Sequence, residues 1–149
     1  MVRDLSRLLR PRSVAVIGGG VWCENVVQQC RAIGFRGAIW PVHPTRTEIA
    51  GAPAFEGLAG LPSAPDAVFI GVNRTLTVQL VAQLAEMGAG GATCFASGFR
   101  EAQLESEDGA DLQEQLLAAA KDMPVIGPNC YGFINYLDGV ALWPDQHGG

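Results

Sequence analysis

The stretch Ser13-Val-Ala-Val-Ile-Gly-Gly-Gly20 decides how the rest of the chain is interpreted. Its first part is small or β-branched and uncharged, which is typical of a strand covered on both faces in a parallel sheet. The three glycines that follow allow a tight turn in which the backbone can approach a ligand closely. A segment with helical spacing comes next, so the stretch predicts the strand, turn and helix of an α/β unit.

Uncharged runs of the same kind recur along the chain and predict four further strands, at residues 38–42, 67–72, 92–95 and 125–126, after the first at 14–17. Three of the gaps between them have apolar residues at helical spacing. These residues are Val26, Cys30 and Ile33; Leu76, Leu80 and Leu84; and Leu112, Leu116 and Ala120. The other gap, residues 44–66, contains four prolines and is predicted to be mainly loop, with one short helical turn around Leu58.

The order of these segments predicts a single α/β domain with an open, doubly wound, mainly parallel sheet. Asn73 stands where it can cap the helix over residues 75–87, and Gly88 stands where it can end that helix. Asp111 is placed to serve the first turn of the last crossover helix.

Composition excludes several classes of protein. The chain has 149 residues, of which 48% are hydrophobic, enough for one well-buried core. Its net charge of −5 and scattered basic residues disfavour nucleic-acid binding. The longest uncharged stretch has 15 residues, fewer than the roughly 20 of a membrane span, and the start lacks the apolar part of a secretory signal. We therefore predict a cytoplasmic protein with no nucleic-acid or membrane partner.

The four cysteines lie far apart in sequence and have no Cys-x-x-Cys spacing. They predict neither a zinc site nor a disulfide framework, and no metal is expected in this chain. No Ser-His-Asp set, Cys-His set or carboxylate pair can be placed at the strand ends. Binding is therefore better supported than catalysis.

The carboxyl ends of parallel strands meet at one edge of a sheet, where such folds bind ligands. Here the five ends are rich in glycine and hydrogen-bonding residues, at positions 18–20, 41–44, 71–74, 96–100 and 127–132. Turns and helix caps alone account for one or two such ends. The joint pattern predicts a crevice for an elongated, phosphorylated ligand.

A dinucleotide-binding role is the main alternative from the residues themselves. Cys23 stands where the dinucleotide fingerprint has its third glycine, and residues 40–45 lack the acid that holds an NAD ribose. Arg46 could serve an NADP-type site instead. His43 is a candidate for a phosphate or ribose contact and, equally, for a plain turn residue.

Four segments resemble the CoA-binding domain of NDP-forming acyl-CoA synthetases, the family of ADP-forming acetate–CoA ligases and of the succinyl-CoA synthetase alpha subunit. They are Ser13-Val-Ala-Val-Ile-Gly18, Gly37-Ala-Ile-Trp-Pro-Val-His-Pro44, Ser97-Gly-Phe99 and, most specifically, Ile126-Gly-Pro-Asn-Cys-Tyr-Gly-Phe-Ile-Asn135. The resemblance covers residues 8–145 and implies a Rossmann-like domain that binds CoA by its nucleotide and pyrophosphate.

The resemblance also implies which residues bind CoA. The first loop supplies Gly18, Gly19, Gly20 and Val21; the second strand end Val42, His43 and Pro44; the third Gly71, Val72, Asn73 and Arg74; the pantetheine segment Ser97, Gly98 and Phe99; and the thiol end Asn129 and Cys130. The first loop is about four residues shorter than in typical relatives, which usually carry Lys-x-Gly there. Glu24 near a pyrophosphate is expected to repel it unless its carboxylate faces away.

The resemblance implies a parent reaction in which an acid, CoA and a nucleoside triphosphate give acyl-CoA, a nucleoside diphosphate and phosphate. This chain would then bind CoA without catalysing the reaction, with residues 1–7 as an extension, 8–145 as the CoA-binding domain and 146–149 as the start of a linker. Downstream ligase and ATP-grasp domains would be its partners. The alternatives are a stand-alone CoA- or nucleotide-sensing protein and an NAD(P)-linked oxidoreductase domain.

Overall fold

The computed structural model describes residues 4–95, 108–127 and 132–144. The first half of the chain contains α1 (Ser6–Leu9), β1 (Ser13–Ile17), α2 (Val21–Ala32), β2 (Ala38–Val42), β3 (Glu48–Ile49), β4 (Ala52–Pro53) and a 3₁₀ turn (Leu58–Gly60). The second half contains β5 (Ala67–Ile70), α3 (Arg74–Met87), β6 (Ala92–Cys94), α4 (Asp108–Ala120), β7 (Val125–Ile126), β8 (Phe133–Asn135) and β9 (Val140–Leu142).

Five of the strands form one parallel sheet in the order β2-β1-β5-β6-β7. The chain moves outward from β1 to β2, crosses back over β1 to β5, and then continues in the opposite direction. Ile17 at the end of β1 is level with Val42 of β2 and Ile70 of β5, so these three strands end together. The predicted Rossmann-like, doubly wound α/β fold is confirmed, and β1 lies at its switch point.

The sheet is covered on both faces, as its uncharged strands predict. Val14 and Val16 are fully buried in one core with residues of α2, whereas Ala15 and Ile17 lie in the other core with residues of α3 and α4. Successive side chains of a strand point to opposite faces, so β1 contributes to both cores. This double burial explains why the strands carry no charge.

Helix α3 is bounded by the two residues that the sequence assigns to its ends. The Asn73 side-chain oxygen accepts a 2.8 Å hydrogen bond from the Leu76 backbone N–H. Gly88 follows the last turn with a φ of 83°, the left-handed conformation that glycine adopts at little cost. Strand β5 ends at Ile70 rather than at the predicted residue 72 because the chain turns there toward this cap. Strand β6 similarly ends at Cys94.

The segment predicted to be mainly loop, residues 44–66, contains more structure than its sequence indicates. The predicted helical turn is present at Leu58, but β3 and β4 also form an antiparallel hairpin there. Beyond the hairpin, the His43 N–H donates to the Phe55 carbonyl at 2.9 Å, and the Phe55 N–H donates to the Pro41 carbonyl at 2.8 Å. This segment therefore extends the sheet beyond β2. The β8–β9 hairpin was not predicted either.

At the opposite edge of the sheet, where the strands begin, Asp66 links chain segments that are distant in sequence. Its carboxylate accepts from the Arg7 side chain at 2.7 Å and from the Arg12 N–H at 2.8 Å. Burial raises the pKa of Asp66, but the Arg12 N–H and the Arg7 guanidinium outweigh it and leave that pKa below its usual value. Arg7 also donates to the Gly88 carbonyl, so α1 is tied to both β5 and α3. In the described part of the chain, no helix is long and apolar enough to cross a membrane.

Candidate ligand-binding site

A cavity of about 430 Å³ opens at the carboxyl ends of β1, β2 and β5. Its volume lies within the range of small-molecule binding sites. The strand ends contribute Ile17, Gly18, Gly19, Val42, His43, Pro44, Gly71 and Val72, and the rest of the lining is Glu56, Gly57, Leu58, Leu76, Leu80 and Gln83. Seven residues of this lining are candidates from the sequence, and the structure brings them together at the switch point.

The glycine loop is packed against Cys23 of α2. A Cβ atom on Gly18 would lie 2.8 Å from the Cys23 Sγ, and one on Gly71 would lie 2.6 Å from it. Gly18 also has a φ of 126°, which side-chain-bearing residues rarely adopt. A glycine of the helix normally provides close packing at the third fingerprint position. Here the glycines stand on the strand side instead, and they leave room for a cysteine on the helix.

Cys23 is a packing residue in this arrangement. It is 1% exposed. Its Sγ lies 3.5 Å from the Ile17 carbonyl oxygen, to which the thiol S–H can donate. Burial raises the pKa of the Cys23 thiol to about 11, so it stays protonated at neutral pH. Cys30 of the same helix is also buried, and burial raises its pKa to about 12. These thiols are therefore unreactive near neutral pH.

His43 faces Gly19 across the mouth of the cavity. A Cβ on Gly19 would lie 2.4 Å from the His43 Cδ2 atom and 2.6 Å from Nε2, so only glycine leaves the ring in place. The His43 Nδ1 accepts from the backbone N–H groups of Thr45 at 3.1 Å and Arg46 at 2.9 Å. The neutral ring therefore carries its proton on Nε2. His43 is both a turn residue, through Nδ1, and a cavity-lining residue, through its other edge.

Arg46 joins the glycine loop to the first turn of α2. Its Nη1 donates to the Gly19 carbonyl at 2.8 Å and to the Glu24 carboxylate at 2.9 Å. The expected repulsion of anions by Glu24 is therefore opposed by an ion pair, with the two side chains 38% and 36% exposed. In this ion pair the Arg46 guanidinium already binds Glu24, whereas an NADP-type site would need that guanidinium for its ligand.

The side of the cavity formed by α3 is apolar. Leu76 and Leu80 lie one turn apart on α3 and line it together with Val72 and Leu58. Leu76 remains 39% exposed, which is unusual for a leucine of a crossover helix and leaves apolar surface facing the cavity. From sequence, Leu76 and Leu80 are assigned to the helix core. Only the structure shows that Leu76 is exposed and that Leu80, half-buried against the core, also lines the cavity.

Four candidates do not line the cavity. Gly20 is the residue before α2, and no side chain caps that helix end. Val21 is the first residue of α2 and is 60% exposed. Asn73 uses its side-chain oxygen as the cap of α3, and Arg74 is the first residue of that helix.

The remaining candidates, Ser97, Gly98, Phe99, Asn129 and Cys130, lie outside the described residues. The ring of Phe95, the last described residue before position 96, lies 5.6 Å from the ring of Trp22 and 5.6 Å from the ring of Phe69. An aromatic row thus runs from the core to the first turn of α2. Within the described ranges, no three His, Cys, Asp or Glu side chains gather as a metal site.

Comparison with known families identifies the family to which the chain belongs. A family model described as a CoA binding domain matches residues 12–136, most of the chain. The chain belongs to this CoA-binding domain family, and the resemblance inferred from its motifs is confirmed.

The curated relatives are CoA ligases. The chain is 37% identical, over 94% of its length, to a trans-feruloyl-CoA synthase from an unknown prokaryotic organism. It is 33% identical, over 93% of its length, to an ADP-forming acetate–CoA ligase II from Archaeoglobus fulgidus. The chain spans 20% and 21% of the length of these two relatives.

Among solved structures, the apo form of the dinucleotide-forming acetyl-coenzyme A synthetase 1 of Candidatus Korarchaeum cryptofilum superimposes with a TM-score of 0.83. The two are 25% identical, and the match covers 92% of this chain and 30% of that one. The fold described above is therefore one part of that larger synthetase chain.

Proposed function

We propose that this chain binds CoA in the cavity at the carboxyl ends of β1, β2 and β5. The observation that carries the proposal is the two-sided lining of that cavity. Glycine backbone and His43 form one side, next to the loop that leads into α2, and the leucines of α3 form the other. A nucleotide with a charged pyrophosphate and a flat, largely apolar base needs both kinds of surface.

The glycine side suits phosphate. Gly18 and Gly19 have no side chains to keep a phosphate from the backbone, and α2 begins at Val21, after Gly20. Helix N-termini carry partial positive charge and backbone N–H donors, so they favour anions. Arg46 adds a full positive charge at Gly19. We infer that the CoA pyrophosphate lies over this loop.

The leucine side suits the adenine base. Val72, Leu76 and Leu80 offer an apolar surface that the described part of the chain leaves partly exposed. A cavity of about 430 Å³ accommodates part of CoA rather than the whole elongated molecule. The pantetheine would continue along the strand ends toward β6 and β7. Ser97, Gly98, Phe99, Asn129 and Cys130 follow those strands in sequence and remain its predicted contacts.

We further propose that the chain serves an NDP-forming acyl-CoA synthetase, which converts an acid, CoA and a nucleoside triphosphate into acyl-CoA, a nucleoside diphosphate and phosphate. The support is that the relatives include ADP-forming acetate–CoA ligases several times longer than this chain. Ligase and ATP-grasp domains would supply the chemistry, and this chain would hold CoA for them.

Calorimetric titration of the chain with CoA tests the binding site. In the variant Gly19→Asp, the new side chain displaces the His43 ring and puts a carboxylate beside the phosphates. We expect CoA affinity to fall about 100-fold or more, because juxtaposed like charges in an interface cost several kcal/mol.

Gly60→Asp is the matched control. It makes the same chemical change at another glycine, but Gly60 does not line the cavity and its Cβ would meet only Phe55, at 3.9 Å. We expect this variant to bind CoA like the unchanged chain. Equal CoA affinity in both variants would remove the glycine loop from the site, and absence of CoA binding at millimolar ligand would refute the proposed function.

A further inference from the structure

The ion pair between Glu24 and Arg46 occupies the place where the proposed phosphate site needs a free cation. Glu24 lies in the first turn of α2, at the helix end that attracts anions. Its Oε1 is 2.9 Å from the Arg46 Nη1, and the same Nη1 is 2.8 Å from the Gly19 carbonyl oxygen. A carboxylate of the protein therefore already occupies the guanidinium that lies beside the glycine loop.

The Glu24–Arg46 ion pair can break at a small cost in free energy. Each side chain is more than one-third exposed, so a released Glu24 carboxylate regains water without leaving a buried charge behind. An exposed ion pair contributes little to stability. The CoA pyrophosphate, with a negative charge on each of its two phosphoryl groups, offers Arg46 more charge and more acceptor oxygens than one carboxylate, so exchange favours the pyrophosphate.

Arg46 itself is held in place independently of Glu24. Its backbone N–H donates to the His43 Nδ1 at 2.9 Å, and its Nη1 donates to the Gly19 carbonyl. Loss of the Glu24 contact therefore leaves the guanidinium beside the glycine loop. Arg46 can change its anionic partner without moving away from the site.

We propose that Glu24 is an internal competitor for the phosphate site, so that CoA binds by replacing the Glu24 carboxylate on Arg46. This inference rests on the proposed function and concerns the regulation of the same site. Glu24 then lowers the affinity of this chain for phosphorylated ligands, and it makes the glycine loop selective for anions strong enough to displace it.

The test is a double-mutant cycle read by calorimetric titration with CoA. Glu24→Gln keeps the size of the side chain and removes its charge, and we expect CoA affinity to rise about two- to fivefold, the strength of an exposed ion pair. Arg46→Gln is expected to weaken CoA binding. In the Arg46→Gln background the gain from Glu24→Gln should disappear, because there is no longer a cation to compete for.

Two controls separate competition from other effects. Glu86→Gln removes one negative charge from the exposed face of α3, outside the cavity lining, and is expected to leave CoA affinity unchanged. Adenosine, which lacks phosphates, is expected to bind equally to the unchanged chain and to Glu24→Gln. Thermal unfolding of each variant tests whether its fold is retained.

Several results would overturn the inference. These are unchanged or lower CoA affinity in Glu24→Gln, an equal gain in Glu86→Gln, a gain for adenosine, or a gain that persists without Arg46 and so reports simple repulsion. Each of them leaves CoA binding itself intact. If neither the unchanged chain nor any variant binds CoA, the proposed function fails and this inference fails with it.

Discussion

Glycines at both edges of the parallel sheet permit close packing, but only those at the carboxyl edge also border a cavity. At the amino edge a Cβ on Gly90 would lie 2.3 Å from the Asp66 carbonyl oxygen, and one on Gly37 would lie 2.2 Å from the Arg12 carbonyl oxygen. At the carboxyl edge Gly19 and its neighbours border an open cavity. At the amino edge the missing side chains only let backbone segments pack closely. At the carboxyl edge Gly18 and Gly71 make room for Cys23 in the same way, and they also border the cavity.

The charged contacts differ in the same way. Asp66 is 17% exposed and joins Arg7 to the Arg12 backbone across more than fifty residues of sequence. The Glu24 carboxylate is 36% exposed, about twice as much as that of Asp66, and its pair with Arg46 holds a short loop. We therefore expect contacts at the amino edge to contribute mainly to stability, and those at the carboxyl edge to change when a ligand binds. Variants at the two edges should separate these roles.

The largest effect on stability is expected from Gly90→Ala. Its methyl group would meet the Asp66 backbone and the Arg7 Cβ, at 2.3 and 2.5 Å, and neither can yield easily. We expect the free energy of unfolding in urea to fall by about 1–3 kcal/mol, the usual cost of overpacking. CoA affinity of the folded fraction should stay unchanged. Gly19→Ala should show the reverse, with weaker CoA binding and little loss of stability, since only the His43 ring must move.

This contrast would be broken if Gly90→Ala weakened CoA binding as much as Gly19→Ala, or if Gly19→Ala were the less stable protein.

An intermediate effect is expected from Asp66→Asn. Loss of the charge weakens the hydrogen bonds from Arg7 and Arg12, and we expect a loss of about 1–2 kcal/mol at pH 7. Because the folded-state pKa of Asp66 is lowered, its contribution is complete above the unfolded pKa of about 3.9. It is lost as the pH falls through the folded-state value. The difference from the unchanged chain should therefore shrink below about pH 4.

Urea unfolding as a function of pH measures this effect, with Asp122→Asn as the control for an exposed aspartate. A stability difference that stayed constant down to pH 2 would show that the ionisation of Asp66 does not hold the amino edge.

The smallest effects are expected where α3 and α4 end, both at the amino edge. Helix α3 is followed by Gly88 at a φ of 83°, and α4 by Lys121 at a φ of 53°. Lys121→Gly should stabilise the chain by about 0.5 kcal/mol, because glycine adopts this conformation without steric cost. Gly88→Ala should destabilise it by about 1 kcal/mol. Thermal unfolding measures both, and changes of the same sign would contradict the assignment.

Sequence patterns predicted the elements of the fold well. Uncharged runs identified all five strands of the main sheet, and apolar spacing identified the crossover helices. Asn73 and Gly88 were predicted as the ends of α3 because capping acts within a few residues. The β3–β4 hairpin escaped prediction. Its turn has Ala50 and Gly51 at positive φ, whereas the usual turn signal is Asn-Gly or Asp-Gly.

The cavity was anticipated less completely than the fold. Its glycines and His43 were candidates because they follow strands, and strands end at one edge. The pairing of Glu24 with Arg46 was not found, because twenty-two residues separate them in sequence. The packing of Cys23 against Gly18 and Gly71 was also not predicted. From the sequence, Cys23 was noted only as a residue that differs from the third glycine of the dinucleotide fingerprint.

By itself, the sequence determined the secondary structure of the main sheet, the family and the edge at which a ligand is expected. These depend on local periodicity, capping and motif residues. Only the tertiary structure decided that Glu24 meets Arg46, that Leu76 and Leu80 line a cavity, and that Asp66 closes the opposite edge. Such contacts join residues far apart in the chain, and their formation depends on how the strands are ordered in space, which no local pattern records.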